Sequence, residues 1–162
     1  VVEYDSLARR FVLRAKFGRR RELYTVMGRH VGAVLATSSG LPTPSAVVPV
    51  PSHPWIELRR GFNPALEIAR GARAAVGAPL RPAWLRRRLA GIRSVKRLRA
   101  RDRRRALRGA FVASPRTRGE RILLVDDVLT TGATAEACAG ALRESGAEEV
   151  WVIAWARTPR RA

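Results

Sequence analysis

Residues 122–134, Ile-Leu-Leu-Val-Asp-Asp-Val-Leu-Thr-Thr-Gly-Ala-Thr, leave this chain few folds to choose from. Four apolar residues in a row, 122–125, read as a strand buried on both faces. Asp126 and Asp127 end it. A Thr/Gly loop then enters a helix with Ala135, Cys138, Ala139 and Leu142 on one face, and Gly146 is a natural C-terminal cap. Residues 150–156 are the next apolar run. Strand, loop, helix, strand is a βαβ unit with parallel strands and a right-handed crossover. The Val-rich run at 46–50, flanked by prolines, adds another buried parallel strand. The expected class is α/β, a central parallel sheet flanked by helices.

In such a sheet, ligands sit at the carboxyl ends of the strands. A helix N-terminus there offers unpaired N–H groups and the positive end of a dipole, which suit a phosphate. Gly132 lets backbone approach closely, and the hydroxyls of Thr130, Thr131 and Thr134 add donors. Asp126 and Asp127 are placed to accept hydrogen bonds from two neighbouring sugar hydroxyls and to help hold Mg²⁺, directly or through those hydroxyls or water. The bland alternative is a strand end followed by a helix cap. Neither G-x-x-x-x-G-K-[ST] nor G-x-G-x-x-G occurs, which argues against a nucleotide P-loop and a dinucleotide fold.

Upstream, Asp5 or Ser6 caps a helix carrying Leu7, Ala8, Phe11, Val12 and Ala15. A second helix follows, with Leu23, Val26, Met27, Val31, Val34 and Leu35 on one face and His30 partly buried beside it. Residues 51–60 read as irregular. Asn63-Pro64 reads as an N-cap with proline at the first helical position, followed by Ala65, Leu66, Ala69, Ala72 and Val76 on an apolar face. Residues 109–112 begin another strand. Trp151 and Trp155 share one face of the last strand, in the core or at an interface, core being favoured.

Net charge is +19, almost all of it Arg, since only Lys16 and Lys96 are lysines. Such a field attracts nucleic acid, anionic lipid or phosphate-rich small molecules, although Arg-biased composition alone would also produce it. Residues 86–108 hold eleven Arg, Lys96 and one acid, Asp102. The single cysteine, Cys138, excludes an internal disulfide and a Cys/His zinc cluster in these residues. With no signal-peptide pattern and no apolar run long enough to span a bilayer, a cytoplasmic location is expected.

The 122–134 run resembles the phosphoribosyl pyrophosphate signature of type I phosphoribosyltransferases. The rest of the chain resembles the ComF family of competence-associated, phosphoribosyltransferase-like proteins. Tyr4-Asp5 through Lys16-Phe17 is similar to that family's opening segment, Val48-Pro49-Val50-Pro51 to its first core strand and loop, and Arg60-Gly61-Phe62-Asn63 to its R-G-F-N stretch. Arg103 with Gly109-Ala110-Phe111 resembles a further stretch. The resemblance covers nearly all 162 residues, as one domain with an N-terminal helical part (1–40) and a basic flexible hood (83–111). Many family members open with a cysteine-rich zinc-binding segment, so a missing N-terminal segment is an expectation. Pro64 and Val95 replace expected Gln, and Ala106 an expected Asn, which bears on catalysis or its usual second-substrate specificity. Thr130 stands where purine-salvage enzymes carry an Asp, which argues against a purine acceptor.

The resemblance implies transfer of a phosphoribosyl group to a nitrogenous acceptor, with Mg²⁺ and release of pyrophosphate. Asp126, Asp127, Leu129, Thr130, Thr131, Gly132, Ala133 and Thr134 would hold phosphoribosyl pyrophosphate, with Asp126 and Asp127 also catalytic. Ser52, His53, Arg59 and Arg60 are the candidates on the pyrophosphate side, His53 being otherwise a loop residue and the arginines surface charge. Lys96, Arg97 or Arg103 would reach the pyrophosphate from the hood. That basic segment equally suits contact with nucleic acid, including single-stranded DNA, or is a solvated helix. The family name suggests a non-catalytic role in DNA uptake as the alternative function.

Overall fold

The computed structural model describes residues 2–3, 6–17, 20–40, 43–88, 107 and 109–158. Its elements are β1 (Val2–Glu3), α1 (Ser6–Phe17), α2 (Arg21–Thr37), β2 (Ala46–Pro49), α3 (Pro54–Arg60), α4 (Pro64–Val76), β3 (Leu85–Arg87), β4 (Phe111–Ala113), β5 (Arg121–Leu129), α5 (Ala133–Glu144) and β6 (Glu149–Arg157). Four strands form one sheet in the order β1-β6-β5-β2, every neighbouring pair parallel. Beyond β2, Leu80 adds one parallel bridge to Val47.

Period-two alternation in the strands sorts the core into two layers. Val47, Leu123, Val125, Ile153 and Trp155 pack with α1, α2 and α4. Val48, Ile122, Leu124 and Val150 pack with α5 and with Leu85 and Phe111 of the short strands. Each layer joins residues far apart in sequence, so the sheet is covered on both faces, as a parallel sheet requires. Trp155 is buried, meets Phe11 at 5.5 Å between ring centroids, and donates its indole N–H to His30 Nδ1 at 3.2 Å. Trp151 packs half-buried against the same layer.

Several expectations need correction. Residues 54–60 are helical rather than irregular: Pro54 sits at the first position and the His53 side chain accepts from Trp55 N–H, so the turn is nucleated by its cap. His30 is exposed, and its ring contributes an acceptor to Trp155 rather than apolar packing. The buried stripe of α2 is Tyr24, Met27, Gly28, Val31 and Gly32, with Val26 52% exposed, because α2 presses its glycines against the backbone of α4. In α4, Ile68 is the fully buried anchor and Leu66 only half-buried. The Asn63 cap is as expected, its Oδ1 accepting from Ala65 N–H at 3.0 Å. Strand β4 does not join the parallel sheet. It pairs antiparallel with β3, and with the Arg88 N–H to Ala110 C=O bond this ribbon ties together the two ends of the Arg-rich segment.

Candidate functional site

Strand β5 is longer than its apolar run. It continues through Asp126 and Asp127 to Leu129, held by β6 at Asp126↔Ala154, Val128↔Ala156 and Leu129↔Arg157. Its other neighbour does not keep pace: β2 pairs only as far as Pro49↔Val125, with one further bond from Val50 N–H to Val125 C=O. The aspartates therefore stand just past the point where β2 turns away. The two connections also part there. From β2 the chain goes through α3 and α4 to Leu80 on the far side, and from β5 through α5 to β6 on the near side. Adjacent parallel strands with connections leaving in opposite directions open a crevice at their carboxyl ends, the usual ligand position in open α/β sheets.

The floor of that crevice is acidic and its wall is a helix start. Asp126 Oδ1 accepts from Asp127 N–H and Asp127 Oδ1 from Val128 N–H, both at 2.8 Å, which fixes each carboxylate against the backbone. The pair is split by the strand's alternation. Asp126 acts electrostatically on Cys138 of α5, and Asp127 on Tyr24 of α2. The loop then rises to Gly132, the residue before α5, at φ +76°. A methyl there would meet nothing within 4 Å, so glycine is needed for its left-handed backbone and not for space. No side chain caps α5 from that position; Thr131 Oγ1 accepts from Ala133 N–H at a long 3.4 Å. The start of α5 thus brings first-turn N–H groups and the positive dipole end to the carboxyl end of β5. Thr130 and Thr131 are exposed and Thr134 half-buried. The loop's entry is pinned from outside: Thr158 N–H donates to Leu129 C=O at 2.9 Å and Thr158 Oγ1 to Thr130 C=O at 2.9 Å.

Across the crevice, the 51–53 loop is built on Asn63. Its Nδ2 donates to Val50 C=O at 3.0 Å and its Oδ1 accepts from the Ser52 hydroxyl at 2.9 Å. The Ser52 hydroxyl is thus committed to a structural bond. His53 Nδ1 accepts from Trp55 N–H at 3.3 Å. Burial lowers the imidazole pKa, and the positive charge of Arg87 lowers it further. Arg59 is exposed on α3, whereas Arg60 is half-buried and acts electrostatically on Tyr24. Lys96, Arg97 and Arg103 lie outside the described residues.

Three contributors escaped the sequence reading. Arg87 lies over the Phe111 ring at 5.3 Å, its Nε is buried with no hydrogen-bond partner among the described residues, and it acts on both His53 and Cys138. Burial lowers its own pKa. It was one arginine of eleven in a run with no spacing signal. Thr158 carried no motif. Tyr24 lay on a helix face that hydrophobic spacing assigned to other residues. For Cys138, burial pushes the thiol pKa up, Asp126 adds to the rise and Arg87 opposes it, so the thiol is inert. Among the described residues no group of three or more His, Cys, Asp or Glu side chains converges to hold a metal. Nor is any described helix long and apolar enough to cross a membrane.

A parallel sheet with an acidic strand end, a Thr/Gly loop and an open helix start is the architecture of phosphoribosyltransferases. Residues 58–162 match the phosphoribosyl transferase domain family. The DNA utilization protein YhgH of Salmonella typhi is 31% identical over 164 residues, which span 98% of this chain and 70% of that protein. Competence protein F of Haemophilus influenzae is 33% identical over 120 residues, spanning 72% of this chain and 52% of that protein. The chain belongs to the phosphoribosyl transferase domain family, in the ComF group of competence and DNA utilization proteins. Among solved structures, the glutamine phosphoribosylpyrophosphate amidotransferase of B. subtilis, complexed with ADP and GMP, matches with a TM-score of 0.56 and 24% identity. That match covers 82% of this chain but only 26% of the amidotransferase chain, and it is a likeness of fold.

Proposed function

We propose that the crevice between β2 and β5 binds phosphoribosyl pyrophosphate and that the protein transfers its phosphoribosyl group to a nitrogenous acceptor. The observation that carries this reading is the overhang of β5: two carboxylates anchored at the strand end, followed through Gly132 by the N-terminus of α5, which has only the long Thr131 bond as a side-chain cap. The 5-phosphate fits the N–H groups at the start of α5, with the Thr131 and Thr134 hydroxyls as further donors. Asp126 and Asp127 would accept from the ribose hydroxyls. The pyrophosphate then lies toward the 51–53 loop, where His53, Arg60 and Arg87 supply donors and positive charge. The acceptor nitrogen attacks C1 of the ribose, the bond from C1 to the pyrophosphate oxygen breaks with its electron pair, and the acceptor's proton is lost. The protein's part is to position the two reactants and stabilise charge. The carboxylate oxygens of Asp126 and Asp127 suit Mg²⁺, which they would hold directly or through ribose hydroxyls and water. When bound, that ion neutralises charge on the leaving pyrophosphate.

Transfer is tested by incubating the protein with phosphoribosyl pyrophosphate and a panel of nitrogenous bases, and measuring released pyrophosphate. Acceptor-dependent release that is lost in Asp126→Asn/Asp127→Asn supports the reaction. Binding without release under any acceptor refutes it and leaves a binding protein. The names of the relatives and the charge of +19 favour a second reading, a nucleic-acid-associated protein of DNA uptake that reuses the fold. Its mark is DNA binding that falls steeply with salt, disappears when arginines between 86 and 108 are neutralised, and survives the double aspartate substitution.

A further inference from the structure

Among the described residues, the hydroxyl of Tyr24 is a buried polar group near the crevice that the reading above leaves unused. The Tyr24 side chain is wholly buried, and its Oη finds no hydrogen-bond partner among the described residues. A phenol rarely pays that desolvation penalty without return, because buried hydroxyls are normally paired. The ring is firmly placed. It meets Phe62 edge-on at 5.4 Å and belongs to the same buried layer as Val125, with Val128 packed against it. Those two valines bracket the aspartate pair in β5. Phe62 in turn follows directly on Arg60-Gly61 at the end of α3. The phenol therefore lies in the buried layer beneath the end of β5, with Phe62 against its ring.

Its electrostatic neighbours agree with that placement. Burial raises the hydroxyl's pKa, the Asp127 carboxylate raises it further, and the Arg60 guanidinium opposes the rise. A protonated phenol beside a carboxylate is a hydrogen-bond donor in waiting. Asp127 Oδ1 is already oriented by Val128 N–H. We infer that Tyr24 is a positioning residue: its hydroxyl donates to the Asp127 carboxylate when ligand occupies the crevice, and so sets the angle at which Asp127 meets the ribose. This rests on the phosphoribosyl pyrophosphate reading above. It also gives the R-G-F-N stretch a role, since Phe62 meets the phenol ring edge-on and the Arg60 guanidinium acts electrostatically on its hydroxyl.

The test is Tyr24→Phe, which keeps the ring and removes only the oxygen. Because that oxygen makes no hydrogen bond in the structure, the melting temperature should stay level or rise. Binding of phosphoribosyl pyrophosphate with Mg²⁺, followed by calorimetry, should weaken at least about tenfold, the lower end for one hydrogen bond to a charged group. The chain has only two tyrosines, Tyr4 and Tyr24. With ¹³C-labelled tyrosine, the Cζ resonance that disappears in Tyr24→Phe should move when ligand is added to the unsubstituted protein. Equal affinity in Tyr24→Phe, or a Tyr24 resonance that ignores the ligand, overturns the inference and leaves the phosphoribosyl pyrophosphate reading standing. A large drop in melting temperature assigns the hydroxyl a structural role instead and also overturns it. Failure of the unsubstituted protein to bind removes the parent reading, and this inference with it.

Discussion

Helices α2 and α4 touch backbone to backbone, and a single methyl group would prise them apart. A Cβ on Gly71 would lie 2.2 Å from the carbonyl carbon of Gly28, 2.3 Å from its oxygen and 2.7 Å from its Cα. None of these is the end of a side chain that could swing away. Restoring ordinary contact needs a separation of about 1 Å, and a gap of that size forfeits a quarter to a half of each dispersion contact along the seam. Overpacking of this kind costs about 1–3 kcal/mol, and the lost seam contacts push toward the upper end. Better helix propensity returns about 1 kcal/mol. The net expectation for Gly71→Ala is a loss of about 2 kcal/mol, or about 4–8 °C in melting temperature for a domain of this size. Gly140 in α5 is the control: an added methyl meets nothing within 4 Å and the backbone is helical, so Gly140→Ala should stabilise by up to about 1 kcal/mol. Thermal unfolding followed by circular dichroism reads both. A Gly71→Ala protein as stable as its parent would refute the close crossing, and with it the placement of Tyr24 beneath the crevice.

Asn63→Ala removes the α4 cap together with the bonds to Val50 C=O and the Ser52 hydroxyl. A loss of about 2 kcal/mol is expected in denaturant melts, with weaker ligand binding because the 51–53 loop loses its anchor. His53, one of only two histidines, should titrate below the ordinary value in proton NMR, and Arg87→Gln should raise its pKa without fully restoring it, since burial is the larger cause. The sign follows from linkage: above about pH 6.5 the ring is neutral in folded and unfolded chains alike and contributes nothing, and as pH falls from there through the lower folded value, stability drops. A His53 midpoint at or above the ordinary value would contradict its placement beside Arg87.

The β5–α5–β6 unit was legible because each strand contains an unbroken apolar run, 122–125 and 150–156, and its helix repeats at 135, 138, 139 and 142. Asn63-Pro64 was legible because cap chemistry is local. The continuation of β5 through its aspartates was not. Aspartate disfavours strands, and only the matching extension of β6 supplies the partner backbone. Helix α3 was hidden because Trp55 and Leu58 are exposed, so it shows no buried periodicity. On α2, hydrophobic spacing selected Val26, whereas packing selected Gly28 and Gly32, because backbone contact between helices rewards the absence of a side chain. The half of the candidate site made of Asp126, Asp127 and the Gly132 turn therefore lay in one readable run. Tyr24, Arg60 and Arg87, proposed to complete it, come from three separate elements and carry no contiguous signal.

The most direct measurement is calorimetric titration of the protein with phosphoribosyl pyrophosphate and Mg²⁺ at physiological ionic strength, where nonspecific attraction to a net charge of +19 is screened. The account predicts one saturable site per chain that is lost in Asp126→Asn/Asp127→Asn while the fold and melting temperature hold. No saturable heat from well-folded protein, or equal binding by the double variant, would contradict it.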